Sequence, residues 1–317
     1  MEPRLVSVVL VTWNSAQYLR RCLEGFRQQT HRAVELIAID NASTDESVAL
    51  VEPHAATLIR NAENRGFSAA ANQGIATARG AYVLLLNPDC FLEPEYIERL
   101  VAAMDAAPEA GSATGMLLRA RGAEIEPTGA VDSTGIRMTR SGRHLDIDRR
   151  PATGTVHEVF GVSGAAGMFA MTFLRDIATG GEVFDEDFFA YREDADLAWR
   201  GRLFGWTALC EPRAVAYHVR RVTPEARHAL PAGINMHSVK NRFLLRLKNE
   251  GAYLALRNAP FELARDLVVL LAALTIERTS LPAFAWLWRN RARVLAKRRA
   301  IQARRKVSDR ELARWFR

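Results

Sequence analysis

The sequence predicts an α/β fold: a mostly parallel sheet flanked by helices, with a helical extension behind it. Three observations carry this. Short runs of apolar and β-branched residues recur without the polar positions of a half-solvated strand, so these strands are buried on both faces. They alternate with segments of helical period, the pattern of parallel sheets crossed by helices. Each run stops at a polar turn.

Residues 5–11, LVSVVLV, are the first strand, and 15–29 follow as a helix with Leu19, Cys22, Leu23 and Phe26 at helical spacing. VELIAID (34–40) and ATLIRN (56–61) are further short strands. FSAAANQGIATARG (67–80) is a small-residue helix stopped by Gly80, and AYVLLLN (81–87) is the fourth strand. The helix EPEYIERLVAAMDAAPEA has Pro94 in its first turn, where the missing N–H costs nothing. From about 119 to 158 the alternation fails in a loop-heavy insertion rich in Gly, Thr and Arg, with room for a hairpin; long loops are often functional. Residues 159–172 regain strand character around Gly161, Gly164 and Gly167. Residues 184–206 end in a helix, TALCEP and AVAYHV read as two short strands, and the chain is helical after about 235.

Composition narrows the setting. Nearly half of the 317 residues are apolar, enough for a large core. Cys22, Cys90 and Cys210 are odd in number, far apart and form no CxxC, which argues against a disulfide framework or thiolate zinc site and for a reduced, cytoplasmic compartment. The apolar LVSVVLVTW lacks a cleavage-like site and reads as a strand, not a signal peptide. The net charge of +7 is unevenly placed: residues 289–317 hold 12 Lys/Arg against Asp309 and Glu311, so the rest is mildly acidic. A tail of that sign suits phosphates, of a membrane surface or of nucleic acid. Ahead of it, the apolar run Leu267 to Ile276 is half of the roughly 20 residues a span needs. With Trp286, Trp288 and the arginines behind, it reads as an interfacial anchor.

In open parallel sheets ligands sit beyond the carboxyl ends of the strands. Those ends are Thr12–Trp13–Asn14, Asp40–Asn41, Asn61 to Arg65, and Asn87–Pro88–Asp89, polar throughout and on one rim. No GxGxxG follows the first strand and no GxxxxGK[ST] occurs, so neither a dinucleotide site nor a P-loop is expected. An acid with a divalent ion can hold a diphosphate instead, and Asp89 is the best-placed acid.

VSVVLVTWN, IDNASTDES, NRGFSAAANQGI, LLLNPDC, GAAGMFAM and FDEDFFAYREDADLAWRGRLFGW occur in that order, followed by YHVRR. Together they resemble the inverting, GT-A-fold family 2 glycosyltransferases, and most the rhamnosyltransferase-like branch, which has NPD where others have DxD. The resemblance implies a catalytic domain over 1–225, its donor half to about 118 and its acceptor half over 119–225. Residues 226–317 are then a basic helical region that associates with membrane.

It also implies roles. Asp40 recognises base or ribose, with Thr12, Asn14 and Asn41 lining that pocket. Asn64 and Arg65 lie near the donor phosphates, supported by Asn72. Asn87 stands where a first DxD acid would be, which leaves Asp89 as the main carboxylate for Mg²⁺ or Mn²⁺, with His218 as a second ligand. The family's ED motif falls on Glu193–Asp194, with Asp194 as general base. Asp196 lies about 200° around the helix from Asp194 and cannot face the same hydroxyl; pairing with Arg200, one turn on, suits it better. Gly164, Gly167 and Glu193 are expected near the sugar or acceptor.

The implied partners are a nucleotide-sugar donor, such as dTDP-L-rhamnose, a glycan or lipid-linked acceptor, an anionic membrane surface at the cytoplasmic face, and a second copy of the chain. Nucleic acid is not expected. Residues 119–158 and 223–236 are expected to govern acceptor choice. Two other readings compete. A nucleotidyltransferase would want a basic Gly-rich loop after the first strand, which TWNSAQ is not. A nucleic-acid-binding module would rest on the basic tail alone.

Overall fold

The computed structural model describes residues 3–122, 125–220 and 232–317; part of the acceptor segment expected at 223–236, and Arg221 of YHVRR, lie outside them. The chain opens with β1 (Val6–Thr12), α1 (Ala16–Arg27), β2 (Val34–Asp40), α2 (Ser47–Val51), β3 (Thr57–Arg60), α3 (Gly66–Thr77) and β4 (Tyr82–Leu86). β1 and β4 are buried at every position, as their unbroken apolar runs require. β3, β2, β1 and β4 lie side by side and all parallel, with Thr12 opposite Asp40 and Asp40 opposite Arg60. The sheet grows from β1 in both directions, so the crevice of an open α/β sheet falls beyond Thr12 and Leu86.

Next come β5 (Cys90–Leu92), α4 (Tyr96–Asp105), β6 (Ala110–Arg121), β7 (Glu126–Ser133), β8 (Ile136–Met138), β9 (His144–Asp146), β10 (His157–Glu158), β11 (Met168–Ala170), α5 (Met171–Ile177), α6 (Glu193–Leu203) and β12 (Thr207–His218). The main sheet runs β10-β12-β6-β11-β4-β1-β2-β3, with β5 also on β12 and β7 also on β6. In this half β6 and β12 pair in parallel, and the other pairings are antiparallel. The sheet is therefore mixed, parallel throughout only in its first four strands.

Three local expectations change. The insertion holds more strand than its loop-heavy composition suggests: β6 runs on to Arg121 and β7 returns along it, while the hairpin it had room for is β8 with β9. Of residues 159–172, three form β11 and Met171 already opens α5. TALCEP and AVAYHV are one strand, β12, irregular between Cys210 and Val215, where the ladder absorbs the intervening residues.

Behind β12 lie α7 (Ala232–Asn249), α8 (Ala252–Thr275), α9 (Pro282–Arg289), α10 (Arg291–Ala303) and α11 (Asp309–Leu312). α7 packs on α6, with α10 and α9 against its other sides. Among the described residues no single helix is long and apolar enough to cross a membrane; α8 and the segment through α9 reach that content together but bend by 111° between them. α8 leaves Leu256, Leu263, Leu267, Leu271 and Leu274 exposed. The last residues turn inward: Phe316 is buried against Trp199 and Phe160, and the Arg317 N–H donates to Met138 O at 3.2 Å.

Candidate active site

The turns after β1 and β2 hold one another through side chains. Thr12 Oγ1 donates to Asp40 Oδ1 at 3.0 Å, and the Ser43 N–H donates to Asp40 Oδ2 at 3.0 Å. Asn14, at φ 47°, accepts from the Thr44 N–H on its Oδ1 at 2.8 Å. Asn41 reaches the next rim segment: its Nδ2 donates to Gly66 O at 3.1 Å and its Oδ1 accepts from Asn61 at 2.8 Å. Asn64 Oδ1 takes the Gly66 N–H at 2.9 Å, and exposed Arg65 precedes α3. Asn72 is engaged elsewhere, since its amide both donates to Phe184 O (2.8 Å) and accepts from the Phe184 N–H (2.9 Å), holding the loop before α6.

Asp89 follows the turn that Asn87 begins, and its Oδ1 is buried without a hydrogen-bond partner. His218 at the end of β12 brings Nε2 to 3.6 Å from that oxygen, too far for a hydrogen bond. The other ring nitrogen, Nδ1, lies 2.8 Å from Asp132 Oδ2. Asp132 is buried on β7 and also accepts from Arg119 Nε at 3.2 Å and Arg220 Nη2 at 3.1 Å. Burial opposes a charge on His218, but the pull of Asp132 and Asp89 outweighs it and raises the imidazole to about 9. Burial likewise opposes the Asp132 carboxylate, and His218 and Arg220 overcome that, lowering it to about 2.

Once a cation displaces the His218 proton, this pair suits a divalent ion. Among the described residues no three His, Cys, Asp or Glu side chains converge as a metal cluster. A cation shared with a diphosphate needs only one or two protein ligands, the remainder being phosphate oxygens and water. A buried, unpartnered carboxylate oxygen beside a histidine whose far nitrogen is fixed by an acid meets that need.

Asp194 lies in the first turn of α6. Its Oδ1 accepts from the Ala195 N–H at 2.7 Å and its Oδ2 from the Gly164 N–H at 3.3 Å. A side chain at Gly164 would meet Asp194 Cβ alone, at 3.7 Å, so this glycine lets backbone face the carboxylate. Gly167 differs: a Cβ there would press on Ser163 O at 2.9 Å, so packing demands it. Burial raises Asp194 well above the ordinary carboxylate range, and the charge of Asp146 on β9 adds to this. Burial and the Asp194 charge raise Glu193 too, whose Oε2 is buried and unpartnered.

The Asp89 and Asp194 segments meet through residues 164–165, since the Asn87 N–H donates to Ala165 O at 2.8 Å while Gly164 serves Asp194. Arg220 closes a second link, donating through one nitrogen to Asp132 and, at 2.6 Å, to Asp146. Asp132, Asp146 and Arg220 escape a reading of the sequence. Two of them lie in the insertion, where no period signals a role, and all three act through contacts between distant segments.

The approach to α6 is strained. Phe189, Tyr191 and Arg192 have φ of 66°, 70° and 72°, a region that costs a non-glycine residue about 1–3 kcal/mol. Asn241 of α7 holds them: its buried amide donates to Phe188 O, Ala190 O and Tyr191 O at 2.9, 2.8 and 2.7 Å. Gly66, at φ 82°, lets Phe189 approach α3, because a Cβ there would lie 2.6 Å from the Phe189 ring. Asp196 binds Arg200 Nε at 2.9 Å, Lys248 at 3.0 Å and Asn249 at 2.7 Å, all away from Asp194.

Residues 7–123 match the family model described as "Glycosyl transferase family 2". The N-acetylglucosaminyl-diphospho-decaprenol L-rhamnosyltransferase of Mycobacterium tuberculosis is 29% identical over 248 residues, which cover 68% of this chain and 76% of that protein. The match to other curated relatives is narrower: the chain spans 40% of the length of a Bacillus subtilis glycosyltransferase, EpsH, and 14% of an Escherichia coli chondroitin synthase. In fold the chain is similar to GalNAc-T7 solved with UDP, GalNAc and Mn²⁺ (TM-score 0.64, 17% identity, 78% of this chain and 48% of that one). It is also similar to a mannosyltransferase of Pyrobaculum calidifontis in complex with GDP-Man and Mn²⁺ (TM-score 0.56, 19% identity, 95% and 86%). Its first four strands, its polar rim and these likenesses agree: residues 7–123 are similar to glycosyl transferase family 2 domains, and the chain has the GT-A fold.

Proposed function

We propose that this chain is an inverting glycosyltransferase that moves a sugar from a nucleotide diphosphate to a hydroxyl of a lipid-linked saccharide. The likeness to a mycobacterial L-rhamnosyltransferase supports L-rhamnose as the sugar, with dTDP-L-rhamnose as the donor to test first. One observation carries the reading: the turn that bears Asp89, through the Asn87 N–H, and Asp194 are both bonded to the same short segment, residues 164–165. The donor lies along the rim from Thr12 to Asp89, with Asp40 toward base or ribose. Asp89 and His218 would hold Mg²⁺ or Mn²⁺, which supplies positive charge to the departing diphosphate.

Asp194 takes the proton of the acceptor hydroxyl. The hydroxyl oxygen bonds to the anomeric carbon from the face opposite the leaving group, the bond to the diphosphate breaks, and the nucleoside diphosphate departs with that electron pair. The Gly164 and Ala195 N–H groups aim the carboxylate, and its raised proton affinity strengthens it as a base. Glu193, whose own proton affinity is raised further, lies beside it as a neutral neighbour.

The apolar face of α8, with Trp288 69% exposed on α9 and Arg289 and Arg291 next to it, supports docking at the cytoplasmic face of an anionic membrane. The test is thermal stabilisation by a panel of nucleotide sugars with and without Mn²⁺, followed by product stereochemistry. A donor that stabilises the protein and yields an inverted product supports the reading. Stabilisation by none of the panel sinks it.

A further inference from the structure

α7, α8 and the turn before β9 enclose a cavity of about 160 Å³ whose lining is strongly cationic. Arg143, Arg192, Arg242 and Arg265 line it, and Glu277 is the acid among its walls. Arg242 is held in place by Asp266 at 3.1 Å and by Ser141 O at 2.9 Å. Arg192 Nη1 lies 3.1 Å from His144 Nδ1. Arg265 Nε is buried and makes no hydrogen bond. Burial and the charges of Arg192 and Arg143 hold His144 neutral, so it adds no proton to this field. Guanidinium forks gathered this densely fit the oxygens of a phosphate or diphosphate.

The opposite wall is apolar. Val268, Val269 and Ala272 of α8 supply it. The same helix carries Leu267, Leu271 and Leu274 at its surface, each half or more exposed. A cationic cup beside an apolar ridge fits one chemistry, an anionic head group on a long hydrocarbon. A free phosphate would use the cup and leave the ridge bare.

The cup also adjoins the base. Arg192 is the residue before α6, two positions from Asp194, and Arg143 precedes β9, whose Asp146 acts on Asp194. We propose that this cavity binds the diphosphate of an isoprenyl-diphosphate-linked acceptor, with the isoprenoid along α8 and the first sugar turned toward Asp194. The proposal rests on the glycosyl-transfer reading and adds to it where the acceptor's charge is held.

The test measures binding of farnesyl diphosphate, farnesol and inorganic pyrophosphate to the full chain by calorimetry. EDTA is present so that no cation draws diphosphate to Asp89. Farnesyl diphosphate should bind at least tenfold more tightly than either of the others. The double substitution Arg143→Gln with Arg265→Gln should weaken it at least tenfold. Leu271→Glu should weaken farnesyl diphosphate while leaving pyrophosphate unchanged, which guards against a charge variant that misfolds. Equal binding of farnesol and farnesyl diphosphate, or arginine variants that bind like wild type, would overturn the proposal. Pyrophosphate binding as tightly as farnesyl diphosphate would overturn the lipid assignment. Nucleotide-sugar stabilisation is measured in parallel: its absence would sink the transferase reading, whereas its presence with unselective lipid binding would sink this proposal alone.

Discussion

Asp194 combines two effects that usually oppose each other. Two backbone N–H groups orient it, yet burial and Asp146 keep its proton affinity high. Asp194→Asn should therefore lower kcat/KM by about 10²–10⁴ while nucleotide-sugar binding stays unchanged. In the wild type the acidic limb of kcat/KM should lie above the roughly pH 4 of an ordinary carboxylate. Glu193 gives a stability signature. Its folded proton affinity is raised, so the native state binds more protons than the unfolded state, and stability falls as pH rises past the ordinary glutamate range toward about 8. Glu193→Gln should raise Tm more at pH 9 than at pH 6, by about 2–4 °C for each kcal/mol relieved. At the proposed metal pair, Asp132→Asn should reduce Mn²⁺ affinity about 10–100-fold by calorimetry in the presence of nucleoside diphosphate, because His218 loses the acid that aims it. Asp89 and Asp194 stand out in the sequence because each follows a strand or opens a helix within a dense motif, and the structure brings their segments together at residues 164–165. Asp132 does not, because its partners lie 13 to 88 residues away.

At the scale of elements, α7 ties the C-terminal helices to the site. Its sequence SVKNRFLLRLKN reads as an amphipathic helix, but the period does not tell what its two Lys-Asn pairs hold. Lys240 and Asn241 bind carbonyls of residues 187–191. Lys248 and Asn249, two turns on, bind Asp196, and Lys248 also binds Asp185. The strained loop before α6 thus depends on a helix outside the family match. Asn241→Ala should strand the Ala190 and Tyr191 carbonyls, at about 1–3 kcal/mol for each buried group left unsatisfied, while Phe188 O keeps the Ala190 N–H. It should lower both Tm and kcat, whereas Asn241→Asp, which keeps the shape but loses the donor, should not rescue either. The parallel strands were legible from unbroken apolar runs. Of the insertion, a hairpin was legible, and β8 with β9 forms it; the return of β7 along β6 was not, because β7 is largely exposed and its partner is the existing sheet edge.

Over the whole molecule the basic tail and acidic body are partly matched to each other. Lys297 pairs with Glu182, Asp185 and Asp187, Arg293 with Asp187, and Arg304 with Asp176. Part of the charge that the sequence offers to phosphates is therefore used internally, which leaves the apolar face of α8 as the larger contribution to the membrane docking proposed above. Flotation with anionic liposomes should accordingly be reduced more by Leu256→Glu with Leu263→Glu than by raising salt from 0.1 to about 0.5 M, where screening weakens exposed charges but not apolar burial. Phe316 and Arg317 have a practical bearing. Because they lock onto Met138, at the base of the hairpin that carries Arg143 and Asp146, an affinity handle fused behind Arg317 would pull on that hairpin, and one fused ahead of Met1 is the safer choice for kinetic work.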